Sequence, residues 1–286
     1  MNKRALVTGG AGFIGTNLIK LLISNNFDVV SIDNYFTGLK SNHIEGATYI
    51  DTDLLNIRDF SDFGKFDIVF HLAAIARIQP SFELPIEYFE NNSVSTMKIA
   101  KFCADNDIPL IYAGSSSHHS GKFKNPYTFS KDIGEEIISL FQQHYKLNAS
   151  IARFYNVYGP HHLKNGGYCT VIGKWEYAIE NKHPIVIYGD GTKRRDFTHV
   201  NDIVSALLLI FEKSAWGHTF ELGTGINYSI QEIADMFNYD NIIYKNDKPG
   251  EAFLTLCDST LAYEILNWKC IHNIKEYILN YIGLYE

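Results

Sequence analysis

Short apolar runs alternate with helical stretches along the first half of the chain. Arg4-Ala-Leu-Val7 reads as a buried strand, and Phe13 to Ser24 as a helix behind a glycine turn. Further strands are expected at Asp28–Ile32, Phe66–Phe70, Pro109–Tyr112 and Ala149–Phe154, with helices at Tyr88–Ala104 and Tyr127–Tyr145. The run Asp67-Ile-Val-Phe-His-Leu-Ala-Ala74 has no polar face, which suits a strand covered on both sides. Alternation of this kind predicts an α/β fold with a doubly wound parallel sheet.

After Asn156-Val-Tyr-Gly-Pro160 the texture changes. Gly166-Gly167, Gly189-Asp-Gly191, Gly223-Thr-Gly225 and Pro249-Gly250 punctuate the chain around short helices at Ile203–Lys213, Ser229–Phe237, Ser259–Leu266 and Ile274–Ile282. The expected division is a main domain over residues 1–156 and a smaller α/β substrate-binding lobe over 157–286, with 185–213 returning to the main sheet.

Composition narrows the classes. The 286 residues suffice for one large domain or two smaller ones. A net charge of −7 without a basic tract argues against nucleic acid as a partner. No apolar run approaches the ~18 residues of a membrane span, and the N-terminus lacks a secretory apolar core. Cys103, Cys169, Cys257 and Cys270 stand far apart and read as reduced thiols of a cytoplasmic protein. His118-His119 and His161-His162 are adjacent pairs with no ligand at metal spacing, so no metal is expected.

Two motifs carry chemistry. Gly9-x-x-Gly12-x-x-Gly15 follows a strand and opens a helix, the context in which glycines let a pyrophosphate approach backbone N–H groups at a helix N-terminus. Phe13 and Ile14 lie inside that turn. Asp33 ends the second strand, 18 residues past Gly15, where a carboxylate binds both ribose hydroxyls and repels a 2′-phosphate; this favours NAD over NADP. Asp53-Leu54 could reach the adenine, and Asp53 reads equally as a helix cap. Leu72-Ala73-Ala74 would let backbone approach the cofactor. The second motif is Tyr127-x-x-x-Lys131 behind Ser115-Ser116-Ser117. Residues four apart share a helix face. A tyrosine acting as base near neutrality must fall roughly 3 units below its usual ~10, about 4 kcal/mol, and a neighbouring ammonium supplies part of that.

On these residues the chain resembles the extended short-chain dehydrogenase/reductase family, and within it the NAD-dependent nucleotide-sugar epimerases and dehydratases, which have a Rossmann-type fold. Gly9-Gly-Ala-Gly-Phe-Ile-Gly15, Asp33-Asn34, Asp53-Leu54 and His71-Leu-Ala-Ala74 match its cofactor half. Asn92 with Thr96 resembles its Asn-x-x-Gly-Thr, with Ser95 replacing glycine. Arg153-Phe-Tyr-Asn-Val-Tyr-Gly-Pro160, Ile187-Tyr-Gly-Asp-Gly191, Arg195-Asp-Phe-Thr-His-Val200 and Lys248-Pro-Gly-Glu251 continue the pattern. The resemblance implies Tyr127 as catalytic base, with Lys131 holding the phenolate and the nicotinamide ribose. It implies a serine on the sugar hydroxyl, Ser115 by strand alignment or Ser116 counting back from Gly121. Asn34 and Asn92 fall on cofactor positions. Asn156, Tyr188, Arg195 and Lys248 fall on positions that bind the nucleotide diphosphate sugar, with Lys248 standing where the family has an arginine.

Family dehydratases carry Thr-Asp-Glu at the serine cluster, and the decarboxylases keep a glutamate. This chain has three serines, which implies simple redox at one carbon, a 4-epimerisation with retained NAD. Thr255 occupies a position where a small residue leaves room for an N-acetyl group, favouring UDP-N-acetylglucosamine beside UDP-glucose. UDP-glucuronate 4-epimerisation, a dehydratase or decarboxylase, and a non-catalytic NAD-binding protein are the alternatives. Tyr127 follows Ser116 by eleven positions, shorter than the family pattern, with His119-Ser120-Gly121 replacing Val-Tyr-Gly. The helices Tyr88–Ala104 and Tyr127–Tyr145 carry apolar stripes including Met97, Ala100, Ile133, Ile137 and Phe141; in the resembled family such helices pair across a dimer, which implies a homodimer through a four-helix bundle.

Overall fold

A computed structural model describes residues 2–284. In chain order the strands are β1 (Arg4–Thr8), β2 (Asp28–Asp33), β3 (Ala47–Asp51), β4 (Ile68–His71), β5 (Leu110–Ser115), β6 (Ala149–Phe154), β7 (Ile185–Tyr188), β8 (Arg194–Asp196), β9 (Thr219–Leu222), β10 (Asn227–Ser229) and β11 (Ile242–Lys245). The helices are α1 (Phe13–Ser24), α2 (Ile78–Ser81), α3 (Pro85–Phe89), α4 (Ser95–Asp105), α5 (Pro126–Tyr145), α6 (Val171–Glu180), α7 (Val200–Glu212), α8 (Ile230–Met236), α9 (Thr260–Leu266) and α10 (Ile274–Ile282).

The main sheet has seven strands in the order β3-β2-β1-β4-β5-β6-β9, all parallel. Two apolar layers cover it. One joins Leu18, Ile19 and Leu22 of α1 to Val204, Leu207 and Ile210 of α7. The other joins Ile99 and Phe102 of α4 to Ile137 and Phe141 of α5. The chain reverses direction across the sheet between β1 and β4, so the C-terminal ends of those strands open a crevice, the usual ligand position in such sheets. A third cluster, including Trp175, Ile187, Phe197, Phe237 and Ile278, forms beyond β6.

The expected return of 185–213 to the main sheet divides in two. β7 pairs with β11 and β8 with β10 in separate two-stranded sheets, while α7 packs on α1; β9, beyond that segment, extends the main sheet beside β6. The helix expected at Tyr88–Ala104 is built from α3, a π-helical turn at Glu90–Val94, and α4. The stripe expected to face a second subunit is also corrected. Ala100, Ile137 and Phe141 are buried against the chain's own sheet and Ile133 packs beside them, leaving Met97 exposed. The outward apolar residues of these helices include Ile86, Phe89, Val94, Met97 and Leu140.

Candidate functional site

A cavity of about 720 Å³ runs from the crevice of the main sheet toward β7 and β8. Among the candidate site residues of the sequence reading, all but Asn92 line it. Asn92 sits behind the wall. Its side chain accepts the N–H of Ile75 (2.8 Å) and donates to the Ile75 carbonyl (3.0 Å) and to Ser130 Oγ (2.9 Å). It therefore ties the loop after β4 to α5, and its neighbours Asn91 and Ser95 face the cavity in its place.

The glycine turn is close-packed. Gly9 has φ +73°, and a Cβ there would lie 2.9 Å from the backbone of Ala73. A Cβ on Gly15 would lie 2.2 Å from the Gly9 carbonyl oxygen. Gly12 caps α1 without any side-chain hydrogen bond, so the first-turn N–H groups are left to the cavity. The Asp33 carboxylate accepts the N–H groups of Ala11 (2.9 Å) and Tyr35 (2.8 Å), and burial raises its pKa while those bonds oppose the shift. Asp53 is both a cap, accepting from Leu55 N (2.8 Å), and the partner of Asn34 (2.8 Å). His71 bonds Thr8 (2.7 Å) and Thr96 (3.0 Å) through its two ring nitrogens; burial and then the Lys131 charge lower its pKa to about 3, which keeps it neutral.

The reacting side is organised by the start of α5. Asn125 caps the helix through Thr128 N (2.7 Å) and Pro126 occupies its first position, which sets Tyr127 in the first turn and Lys131 one turn on. Tyr127 donates to Ser115 Oγ at 3.3 Å, and Ser115 also receives the N–H (3.2 Å) and hydroxyl (2.9 Å) of Ser117. Ser115, rather than Ser116, is the serine in contact with the tyrosine. The expected ammonium–phenol pairing takes a different form. Lys131 Nζ lies 4.2 Å from the centre of the Tyr112 ring, and burial lowers its pKa to about 7. Burial raises the Tyr127 pKa, opposed by the Ser115 hydrogen bond and the positive charge of Arg77. Arg77 has no motif around it in the sequence and was not among the candidates; only the fold brings it to the tyrosine.

At the far end Arg195 is held by the carbonyls of Ala252 (2.7 Å) and Phe253 (3.2 Å) and faces Glu251 (3.6 Å). Lys248 Nζ lies 3.7 Å from the centre of the Tyr188 ring. Asn156 donates to the Asp196 carbonyl (2.9 Å) and to Thr255 Oγ (3.0 Å). Behind the serines, Arg153 grips Glu135 through two nitrogens (2.5 and 3.0 Å) and Glu221 (2.9 Å). His118 contacts Asp132 (2.9 Å) and approaches Glu135 (4.0 Å), an acidic pairing that histidine spacing alone did not suggest because the carboxylates come from α5. Arg153 already pairs with Glu135, and none of these three groups lines the cavity.

A parallel doubly wound sheet, a glycine-lined helix start and a Ser–Tyr–Lys group on one cavity define a nicotinamide-dependent enzyme class, the short-chain dehydrogenases/reductases. The chain belongs to the NAD dependent epimerase/dehydratase family, whose sequence profile matches residues 5–223. It is 31% identical over 95% of its length to a Methanocaldococcus jannaschii protein described as "Putative UDP-glucose 4-epimerase", covering 94% of that protein. It is 31% identical over 82% of its length to the UDP-N-acetyl-alpha-D-glucosaminuronate decarboxylase of Bacillus cytotoxicus, covering 79% of it. Among solved structures it resembles the UDP-N-acetylglucosamine 4-epimerase of Methanobrevibacter ruminantium M1, in complex with UDP-N-acetylmuramic acid, with a TM-score of 0.90, 29% identity, and coverage of 99% of this chain and 98% of that one. The cofactor of the family is NAD, and the Gly9–Gly15 cradle with the Asp33 carboxylate fits its pyrophosphate and ribose. No helix of the described residues is long and apolar enough to cross a membrane.

Proposed function

We propose that this chain is an NAD-dependent 4-epimerase of a UDP-sugar, acting through a transient 4-keto sugar. The observation that carries the reading is the Ser115–Tyr127 contact at 3.3 Å beside Lys131, with no carboxylate from the serine turn on the cavity wall. Elimination of water needs a second acid–base pair at the reacting carbons, and Glu135, which could supply one, is turned away into Arg153. Tyr127, as phenolate, takes the C4 hydroxyl proton, directly or through Ser115, and returns it when the ketone is reduced. NAD, when bound, would supply the acceptor and later the donor of the hydride exchanged at C4. The keto-sugar turns between the two events, so the opposite face is presented for return. Lys131 holds the nicotinamide ribose, and Gly9, Gly12, Gly15 and Asp33 hold the dinucleotide. Arg195, Lys248 and Tyr188 take the nucleotide diphosphate. The short Thr255 side chain leaves space for an N-acetyl group, so UDP-N-acetylglucosamine and UDP-glucose are both expected to enter.

A second reading, a C6-oxidised substrate, is favoured by Arg77 and is taken up below. The helical segment around Asn92 exposes Ile86, Phe89 and Met97, and α5, which carries Tyr127, exposes Leu140, which suits a homodimer through a four-helix bundle. The test of the activity is proton NMR of the protein with UDP-glucose, UDP-N-acetylglucosamine and UDP-glucuronate. A C4 epimer is expected. A 4-keto-6-deoxy product or a pentose would move the assignment to a dehydratase or a decarboxylase.

A further inference from the structure

The loop leaving β4 carries a cation with no assigned task. Arg77 lines the same cavity as Ser115, Tyr127 and Lys131. Its backbone stands at φ +106° and ψ +138°, a conformation unfavourable for any residue with a Cβ and maintained only where the surroundings impose it. Here they do. Asn92 grips Ile75 through both backbone groups, and the Tyr88 hydroxyl is shared between the carbonyls of Ala76 (3.2 Å) and Arg77 (2.9 Å). The strained loop is thus clamped from two sides.

Among the described residues the guanidinium makes one hydrogen bond to protein, from Nε to the Tyr168 carbonyl (2.9 Å). Among the described residues no carboxylate lies within 4.0 Å of it. Glu251, whose negative charge it feels, is bonded by Gln79 (3.2 Å) and faced by Arg195 (3.6 Å). Arg77 is half-buried, so its guanidinium is still wetted through the cavity; a ligand that displaces that water must supply a partner for the charge. A guanidinium presents a planar fork that matches a carboxylate in two parallel hydrogen bonds. The diphosphate has other cations at the far end of the cavity, Arg195 and Lys248, whereas the charge of Arg77 bears on Tyr127, which addresses C4. C5 adjoins C4 in the ring and carries C6.

Resting on the 4-epimerase reading, the geometry points to Arg77 as a specificity-determining residue that pairs with a carboxylate at C6, so that the preferred substrates are nucleotide-linked uronates. Oxidation at C4 makes such a sugar a β-keto acid, which can lose CO2. An ion pair that holds the carboxylate keeps it in place for the return of hydrogen to C4.

The test uses the full-length protein loaded with NAD and two matched pairs: UDP-glucose with UDP-glucuronate, and UDP-N-acetylglucosamine with UDP-N-acetylglucosaminuronate. Dissociation constants are measured by calorimetry for the wild type, Arg77→Gln and Arg77→Lys, with melting temperature and NAD content as checks of folding. The wild type should bind the uronate of each pair more tightly. In Arg77→Gln that ratio should fall by roughly 10- to 100-fold, the worth of charge-assisted hydrogen bonds, with Arg77→Lys between. Equal or tighter binding of the neutral partner by the wild type would overturn the assignment. So would an equal loss on both members in Arg77→Gln, which would make Arg77 a support for Tyr127 or for the Tyr168 loop. If Arg77→Gln does not fold, the wild-type ratios and Arg77→Lys decide. NMR on the same samples separates the two readings: a uronate preference without any epimer sinks the epimerase and leaves the Arg77 contact, and epimers without a preference do the reverse.

Discussion

Replacing Gly15 by alanine tests whether the glycine turn is a close-fitting cradle. The new Cβ would lie 2.2 Å from the Gly9 oxygen, 2.6 Å from Gly10 Cα and 2.9 Å from the Gly9 carbonyl carbon. All three are backbone atoms, so no side chain can swing aside. Ordinary contact begins near 3.4 Å, so turn and helix must separate by roughly an ångström. Overpacking of this kind costs about 1–3 kcal/mol of stability, which lowers the melting temperature by a few degrees. The larger effect falls on NAD. In the proposed placement its pyrophosphate takes N–H groups of this turn, and displaced charge-assisted hydrogen bonds are worth about 1.5–3 kcal/mol each, so affinity should fall roughly 10- to 100-fold. Calorimetric titration of NAD into protein stripped of dinucleotide reads this directly. Gly167→Ala is the control, because a Cβ there meets nothing within 4 Å. Wild-type NAD affinity and an unchanged melting temperature in Gly15→Ala would refute the close-approach argument.

Tyr127→Phe should lower kcat by at least 100-fold while leaving NAD content unchanged, since it removes the proton acceptor and little of the wall; NMR turnover and bound-dinucleotide absorbance read the two effects, and retained turnover would remove Tyr127 from the mechanism. His71 is neutral in the fold, with its pKa lowered to about 3 from 6.5. The unfolded chain therefore takes up the proton first as pH falls, and the stabilising effect, full above pH 6.5, declines by roughly 1.4 kcal/mol per pH unit down to the folded value. Urea unfolding at pH 7.5 and 5.0 should show this loss in the wild type and a smaller one in His71→Asn; equal losses would contradict it. Replacing Ile86 and Met97 together by glutamate should convert a dimer to a monomer in sedimentation at micromolar concentration, and a wild type that sediments as a monomer would dismiss the bundle interface.

Strands β1, β2, β4, β5 and β6 of the main sheet were legible in the chain because their signals are local. α1 begins at Phe13 and ends at Ser24 where the glycine turn and apolar spacing placed it, and β6 and α10 likewise match their expected bounds. A motif such as Gly9–Gly15 or Tyr127–Lys131 works through neighbouring residues on one turn or one helix face, so its geometry follows from secondary structure alone. What the tertiary structure decided concerns residues far apart. β7 pairs with β11, more than fifty residues on, because strand pairing depends on long-range contacts that propensity does not encode. The dimer-facing stripe was misjudged because α5 is apolar over more than one face, and only packing showed that Ile137 and Phe141 belong to the sheet side. Asn92 looked like a cofactor ligand from its position in a motif, yet its bonds go to Ile75 and Ser130. Arg77 carried no signal at all: a single arginine in a loop gains its meaning from Tyr88, which bonds its carbonyl, from Asn92, which holds Ile75 in the same loop, and from the cavity it faces.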